Sequence, residues 1–262
     1  MKNTSMKWII IISLLFTSNA FANTNDCGCC LKPILPTKGI WYVDLAGGWV
    51  FNYHADQYTV SQQTFFPDVY FGDNNQNSEV LALSGGYSWH RDDVWLPILS
   101  LGLEYSYYFP IKSTGFIQKF FSPNLTDYTY EFKTHFQQLN LLAKANIYRW
   151  SSGLSPYLLG GIGNSWNTLN SYSEKALPGI TPRIPPGFSK GTTSNFVYIL
   201  GFGMDYDINK NFQIGLGYRY DVLGKAHSGN GVSTFANVNL KSQSNSRSSL
   251  STLLLNLRYY FA

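Results

Sequence analysis

The chain has 262 residues and is 44% hydrophobic and 17% aromatic but only 13% charged, against about a quarter charged in an ordinary soluble domain. Its 19 Lys and Arg against 15 Asp and Glu give +4; with Lys2 and Lys7 of the leader set aside, 17 against 15 remain. That balance excludes a strongly basic nucleic-acid binder, the hydrophobicity excludes disorder, and the lack of an apolar run of about 18 residues excludes a bundle of membrane helices.

Residues 1–22 read as a cleaved signal peptide. Lys2 and Lys7 supply the positive start, residues 8–16 a short apolar core, and Ala20, Phe21 and Ala22 an A-x-A cleavage site. Residues 23–39 then form a periplasmic segment that carries all three cysteines, Cys27, Cys29 and Cys30. Thiols pair in an oxidising compartment, but three is an odd number. Labile thiols on a disordered tail, intermolecular disulfides and a metal site stay open as readings. Zinc ordinarily takes four ligands, and no His lies near these cysteines.

From Ile40 onward the dominant signal is strict alternation, the period of a strand with two unlike faces. Trp41, Val43, Leu45, Gly47, Trp49, Phe51 and Tyr53 share one face of the first such segment, against Tyr42, Asp44, Ala46, Gly48, Val50 and Asn52. Residues 78–90 form a second. In the third, Leu99, Leu101, Leu103, Tyr105, Tyr107 and Phe109 oppose Ser100, Gly102, Glu104, Ser106 and Tyr108. In the fourth, Leu139, Leu141, Ala143, Ala145 and Ile147 oppose Gln138, Asn140, Lys144 and Asn146. Residues 155–167 form a fifth whose facing is ambiguous, because Leu158, Leu159, Gly160 and Gly161 interrupt the alternation. Residues 196–206, 212–221 and 253–261 complete a set of eight, each about the length a tilted strand needs to cross a bilayer.

The connections alternate too. Residues 91–97, 149–155 and 208–210 are short, while 54–77, 110–130, 168–194 and 223–247 are long, polar and rich in Asn, Ser, Pro and Gly. Short turns on one side and long loops on the other are the pattern of an all-β, eight-stranded antiparallel up-and-down transmembrane β-barrel spanning residues 40–262, in the bacterial outer membrane with its long loops extracellular. Closure has a direct cause: an unpaired backbone group in hydrocarbon costs several kcal/mol, so an open sheet cannot stand there. The bulky rows then face lipid, and Gly, Ser and Ala fit the interior. Aromatic girdles are expected at both rims: Trp41, Trp89, Tyr206, Tyr259 and Phe261 at the short-turn end, and Phe51, Tyr53, Tyr107, Phe109, Phe196 and Tyr198 at the loop end.

Three stretches carry a family resemblance. Ser155-Pro156-Tyr157-Leu158-Leu159-Gly160-Gly161-Ile162-Gly163 resembles the fifth strand of OmpA-like and opacity-type outer-membrane barrels. Gly201-Phe202-Gly203-Met204-Asp205-Tyr206-Asp207, a short turn, and Gly215-Leu216-Gly217-Tyr218-Arg219-Tyr220-Asp221 are similar to that family's sixth and seventh strands. The ending Leu257-Arg258-Tyr259-Tyr260-Phe261 resembles the aromatic signal read by the barrel-assembly machinery, although Ala262 follows the Phe here. The family includes adhesins, structural anchors and small pores, so the resemblance implies a fold more narrowly than a role.

An eight-stranded barrel is just wide enough inside for side chains to fill. The expected inward charges are Asp44, Glu104, Lys144, Asp205, Arg219, Asp221 and Arg258. Asp44 lies three residues past Trp41, and Arg258 three before Phe261 on the strand beside it after closure, so these two should pair. Glu104 and Lys144 sit at mid-depth on neighbouring strands and should pair, with Arg219 as a further partner of Glu104. The resemblance implies the same kind of interior ion-pair plug.

Chemistry finds little support. The histidines His54, His90, His135 and His227 read as rim residues, His135 with Glu131 on one face, and the sequence shows no metal cluster, nucleophile elbow or phosphate-cradling loop. No cofactor is expected. The loops are asymmetric in charge: Asp56, Asp68 and Asp73 in the first, against Lys175, Arg183, Lys190, Lys225, Lys241 and Arg247 with only Glu174 in the last two. That asymmetry suits an anionic surface partner such as lipopolysaccharide or host glycans. The expectation is a non-enzymatic barrel with a structural and adhesion-like surface role. Its alternatives are a narrow gated pore for small solutes and a lipid-modifying enzyme.

Overall fold

Period-two alternation lets each segment bury one face and expose the other, and the computed structural model realises this from Lys38 to Phe261. It describes residues 38–55, 58–60, 68–73, 77–91, 95–118, 126–182, 185, 187–233, 238–240 and 244–261. The leader, Cys27, Cys29 and Cys30 lie outside the described residues, as do the side chains of residues 52–76 and 232–247.

Every regular element among the described residues is a strand. They are β1 (Lys38–Ala55), β2 (Tyr58–Val60), β3 (Asp68–Asp73), β4 (Ser78–His90), β5 (Trp95–Gln118), β6 (Thr126–Tyr148), β7 (Leu154–Ala176), β8 (Gly191–Asp207), β9 (Phe212–His227), β10 (Gly231–Ser233), β11 (Val238–Leu240) and β12 (Ser244–Tyr260). Eight of them close a ring, β1-β4-β5-β6-β7-β8-β9-β12, each antiparallel to its neighbours. The seam is β1 on β12, in unbroken register from Tyr42↔Tyr260 to Phe51↔Ser251. The expected eight-stranded antiparallel barrel is therefore what the chain forms.

The sidedness follows the alternation. Leu45, Leu83, Leu103, Leu141, Leu200, Leu216 and Leu255 are exposed on the outside, while Asp44, Glu104, Lys144, Arg219 and Arg258 are buried within. The facing of residues 155–167, which the sequence left ambiguous, is set by its glycines. A Cβ on Gly161 would meet the Leu142 side chain at 2.4 Å, so Gly161 faces the filled interior; a Cβ on Gly160 would meet nothing within 4 Å, so Gly160 faces out.

The strands run further than the sequence suggested. Residues 110–118, 126–130, 168–176, 191–194, 223–227 and 244–247, expected in loops, are strand. The cause is that inward burial resumes after local shifts of phase. On β5, Phe109 and Pro110 together oppose the single residue His135, a β-bulge, which is where Pro is tolerated in a sheet. Before the bulge the even residues up to Tyr108 face in; after it Ile111, Ser113 and Ile117 do. A second bulge places Ser171 and Tyr172 opposite Phe132, with Ser171 at φ 55°. Where β4 begins, β3 takes over beside the outer half of β5, from Asp73↔Thr114 to Val69↔Gln118. Since about 9–11 residues cross a bilayer, the 24 residues of β5 and 23 of β6 and β7 raise a stiff wall beyond it on the loop side.

Leu255 is 54% exposed in the middle of the outer apolar band. Leu255→Arg should lower stability by about 2–4 kcal/mol, measured by urea unfolding of the refolded barrel in lipid vesicles; an outward position outside the hydrocarbon would leave stability unchanged.

Candidate functional site

The interior is the place where this chain concentrates charge. The inward row of β6 shows its layering from the short-turn end to the loop end: Asn146, Lys144, Leu142, Asn140, Gln138, Phe136, Thr134, Phe132, Tyr130 and Tyr128, all buried. The first half of this row is chiefly polar and the second chiefly apolar.

In the polar half, Asp44 and Arg258 are direct cross-strand partners, and Arg258 Nε lies 3.0 Å from Asp44 Oδ2. Arg258 also donates to Ser100 Oγ at 3.1 Å and stacks 4.1 Å above the Tyr42 ring. Glu104 does not pair with Lys144, as its mid-depth position on a neighbouring strand suggested. Its partner is Arg219, with Nη1 2.7 Å from Oε1. Lys144 instead reaches Asp205 on β8 at 2.8 Å, where Asn146 also donates at 2.8 Å. The reason is geometric: a filled lumen brings opposite walls within one long side chain of each other, so a partner need not be on the adjacent strand. Arg219, 1% exposed, makes a second ion pair with Asp221 at 3.1 Å. The Tyr108 hydroxyl accepts from Arg219 and donates to Asp221. A cavity of about 50 Å³ lies among these groups, bounded by Asp44, Glu104, Lys144, Arg219 and Arg258.

Tyr157 was not expected to take part. Its ring lies 4.0 Å from Lys144 Nζ, over a glycine pair, Gly203↔Gly217. A Cβ on Gly217 would sit 2.0 Å from the Tyr157 hydroxyl. The signal was present in the sequence as glycines on the inward face of consecutive strands, but the aromatic that fills their space comes from another strand.

Toward the loop end the charges give way to Val50, Val80, Ile111, Phe136, Val197, Ile199, Leu223 and Leu250, packed as one cluster. Above it a second cluster joins Ile117, Tyr128, Tyr130, Phe132 and Leu169 to Phe188, which comes from the β7–β8 connection. Phe188 packs edge-on to Tyr172 at 4.9 Å. Its neighbour Ser189 hydrogen-bonds the segment after β9, Ser189 N to Asn230 O at 3.1 Å and Gly229 N to Ser189 O at 2.8 Å. This second cluster was not read from the sequence, because most of its residues fall in segments expected to be loops.

At the short-turn rim Trp41 touches Tyr87, Tyr87 touches Trp89, and Tyr259 touches both Phe212 and Phe261; Tyr206 is exposed there. Trp95, Tyr148 and Trp150 form a further aromatic row at that end. At the loop-side rim lie Phe51, Tyr107, Phe109, Phe196 and Tyr198, with Tyr107 against Phe109 and Phe51 against Tyr218. The Tyr53 side chain lies outside those described. Among the described side chains, the histidines do not converge; that of His54 lies outside them. His90 packs on Tyr260 and lies 3.2 Å from Ser88 Oγ, and Glu131, on the face of His135, lies 3.5 Å from Lys112.

A closed eight-stranded ring, greasy outside and ion-paired within, defines the class of small outer-membrane β-barrels. The outer membrane protein beta-barrel domain family matches residues 37–260, and the chain belongs to that family. Its place is accordingly the bacterial outer membrane. Among solved structures the chain is similar to the outer membrane protein OprG from Pseudomonas aeruginosa, at 13% identity and a TM-score of 0.49, over 85% of this chain and 96% of that one. It is also similar to Neisserial surface protein A, at 15% identity and 0.42, over 84% and 97%. A third is the attachment invasion locus protein Ail of Yersinia pestis, at 15% identity and 0.30, over 84% and 98%. No curated protein sequence matches the chain.

Arg219→Met should cost about 3–5 kcal/mol, because Glu104 and Asp221 are left buried without their cation. Adding Glu104→Gln and Asp221→Asn to the same chain should recover most of that loss. Urea unfolding in vesicles measures both, and equal stability of the single and triple variants would contradict the pairing.

Proposed function

We propose that the protein is a non-enzymatic structural barrel whose long-loop end carries a surface-interaction role of the adhesion type. In this reading the N-terminus is periplasmic, the long loops are extracellular, and the barrel-assembly machinery receives the chain through its aromatic end. The observation that carries the reading is the filling of the interior. Ion pairs and two apolar clusters fill it between them, a construction suited to rigidity rather than transit. The strand extensions of β5, β6 and β7 then hold the connecting segments on a stiff wall. Glu131, the carboxylate nearest in sequence to His135, is held by Lys112, which supports a role without catalysis.

The orientation is tested with an epitope inserted after Gly187. Antibody should reach it on intact cells; staining only after permeabilisation would reverse the assignment. Replacing residues 178–187 with a short Gly-Ser linker should lower the binding of cells to host cells or immobilised glycans. Unchanged binding, after deletion of the other connections as well, would remove the adhesive role.

A narrow gated pore is favoured by one specific observation: Glu104, Arg219 and Lys144 all border the same 50 Å³ cavity, so Glu104 has a second cation within reach for partner exchange. In planar bilayers the native chain should show no steady conductance. A rise on Glu104→Ala would support the gate, whereas no change leaves the plug purely structural.

A further inference from the structure

The outer face of β6 changes chemistry abruptly at the loop-side rim. Leu141 and Leu139 are exposed and apolar, and the next outward residues are Gln137, His135, Lys133 and Glu131. On β5 the outward row passes Tyr105, Tyr107 and Phe109, and past the Pro110 bulge it reaches Lys112. Steps of two residues advance about 6.6–6.8 Å along a strand, so Lys112 follows Phe109 just past the bulge, and Lys133 stands three steps, roughly 20 Å, along β6 from Leu139. With strands tilted by about 35–45°, the pair stands at the headgroup side of the apolar band.

Lys112 and Lys133 are direct cross-strand partners, and like charges placed so repel each other. The carboxylate beside them, Glu131, lies 3.5 Å from Lys112, whose side chain remains 58% exposed. A third ammonium group is that of the exposed Lys190, the residue just before Gly191, which opens β8 opposite Leu169. His135 is opposite Thr168, and Thr168 is opposite Thr192, with their hydroxyl oxygens 2.9 Å apart. Beneath this polar patch lie the exposed Trp166 and the apolar wall of Leu139 and Leu141. Three cations against one carboxylate, resting directly on a surface built for acyl chains, complement a ligand that is anionic at its head and apolar below.

We propose that the outer wall of β5 and β6, with Lys190 ahead of β8, is a docking site for a phosphorylated glycolipid of the lipid A type. Lys112, Lys133 and Lys190 take its phosphate groups, and its acyl chains lie along Leu139, Leu141 and Trp166. The site rests on the proposed orientation, which sets this wall in the outer leaflet. It lies outside the lumen, takes one cation, Lys190, from the end of the β7–β8 connection, and gives the barrel a fixed lipid neighbour.

The test uses the full chain refolded in zwitterionic micelles and titrated with diphosphoryl lipid A, with binding followed by native mass spectrometry. Lys112→Gln with Lys133→Gln should weaken binding by roughly 25-fold, about fivefold for each ammonium removed. Glu131→Gln should tighten it, an effect a merely structural carboxylate would not produce. Fully dephosphorylated lipid A should bind weakly, and inorganic phosphate in excess should not displace the glycolipid. Unchanged affinity in the double variant, equal binding of the dephosphorylated lipid, or displacement by inorganic phosphate would overturn the proposal. Micelles have no sides, so failure here is distinct from failure of the orientation, which the Gly187 epitope reads independently.

Discussion

In hydrocarbon no water is available to satisfy a backbone amide or carbonyl, so every one must find a protein partner. That requirement closes the sheet: β1 must meet β12, and their register from Tyr42↔Tyr260 to Phe51↔Ser251 is the seam on which the remaining architecture depends. Closure divides each strand into an outer row that meets lipid and an inner row that meets other side chains. The leucines, aromatics and glycines of this chain sort themselves by that division.

The inner row faces its own constraint. A charge inside a barrel this narrow is cut off from water and is tolerated only with a partner. The chain answers with pairs between strands that are not neighbours, β5 to β9 on the opposite wall through Glu104 and Arg219, and β6 to β8 past β7 through Lys144 and Asp205. Tyr108, Asn146 and Ser100 add hydrogen bonds around them. Where the charges stop, packed Val, Ile, Leu and aromatic side chains take over, and Phe188 carries that filling past the rim. The polar half and the apolar half both resist collapse of the ring, by different physics, and the result is a firm support for whatever the connecting segments present.

Eight strands, the facing of most of them and the rim aromatics were legible because each depends on neighbours two residues apart. The Asp44–Arg258 contact was reachable in the same way, since the seam makes those strands adjacent and both residues sit three positions from a rim aromatic. For Glu104 the reading was half right: adjacency favoured Lys144, which the structure gives to Asp205, while Arg219, the further partner expected, reaches Glu104 across the lumen. The length of β5 was hidden by Pro110, which reads as a strand breaker until the bulge opposite His135 absorbs it. Gly203 and Gly217 were visible as small inward residues, but their purpose, making room for Tyr157, depends on a third strand.

The amino-acid sequence by itself determined that this chain forms an antiparallel barrel with its apolar rows facing lipid, because alternation and backbone pairing are local and the bilayer permits only one way to satisfy both. Only the tertiary structure decided which charges meet, where the polar filling ends, how far the wall stands above the membrane and which cations gather on its outer face. Those outcomes turn on the shear of the ring and on the reach of side chains across it, and both quantities exist only once the first strand has closed on the last.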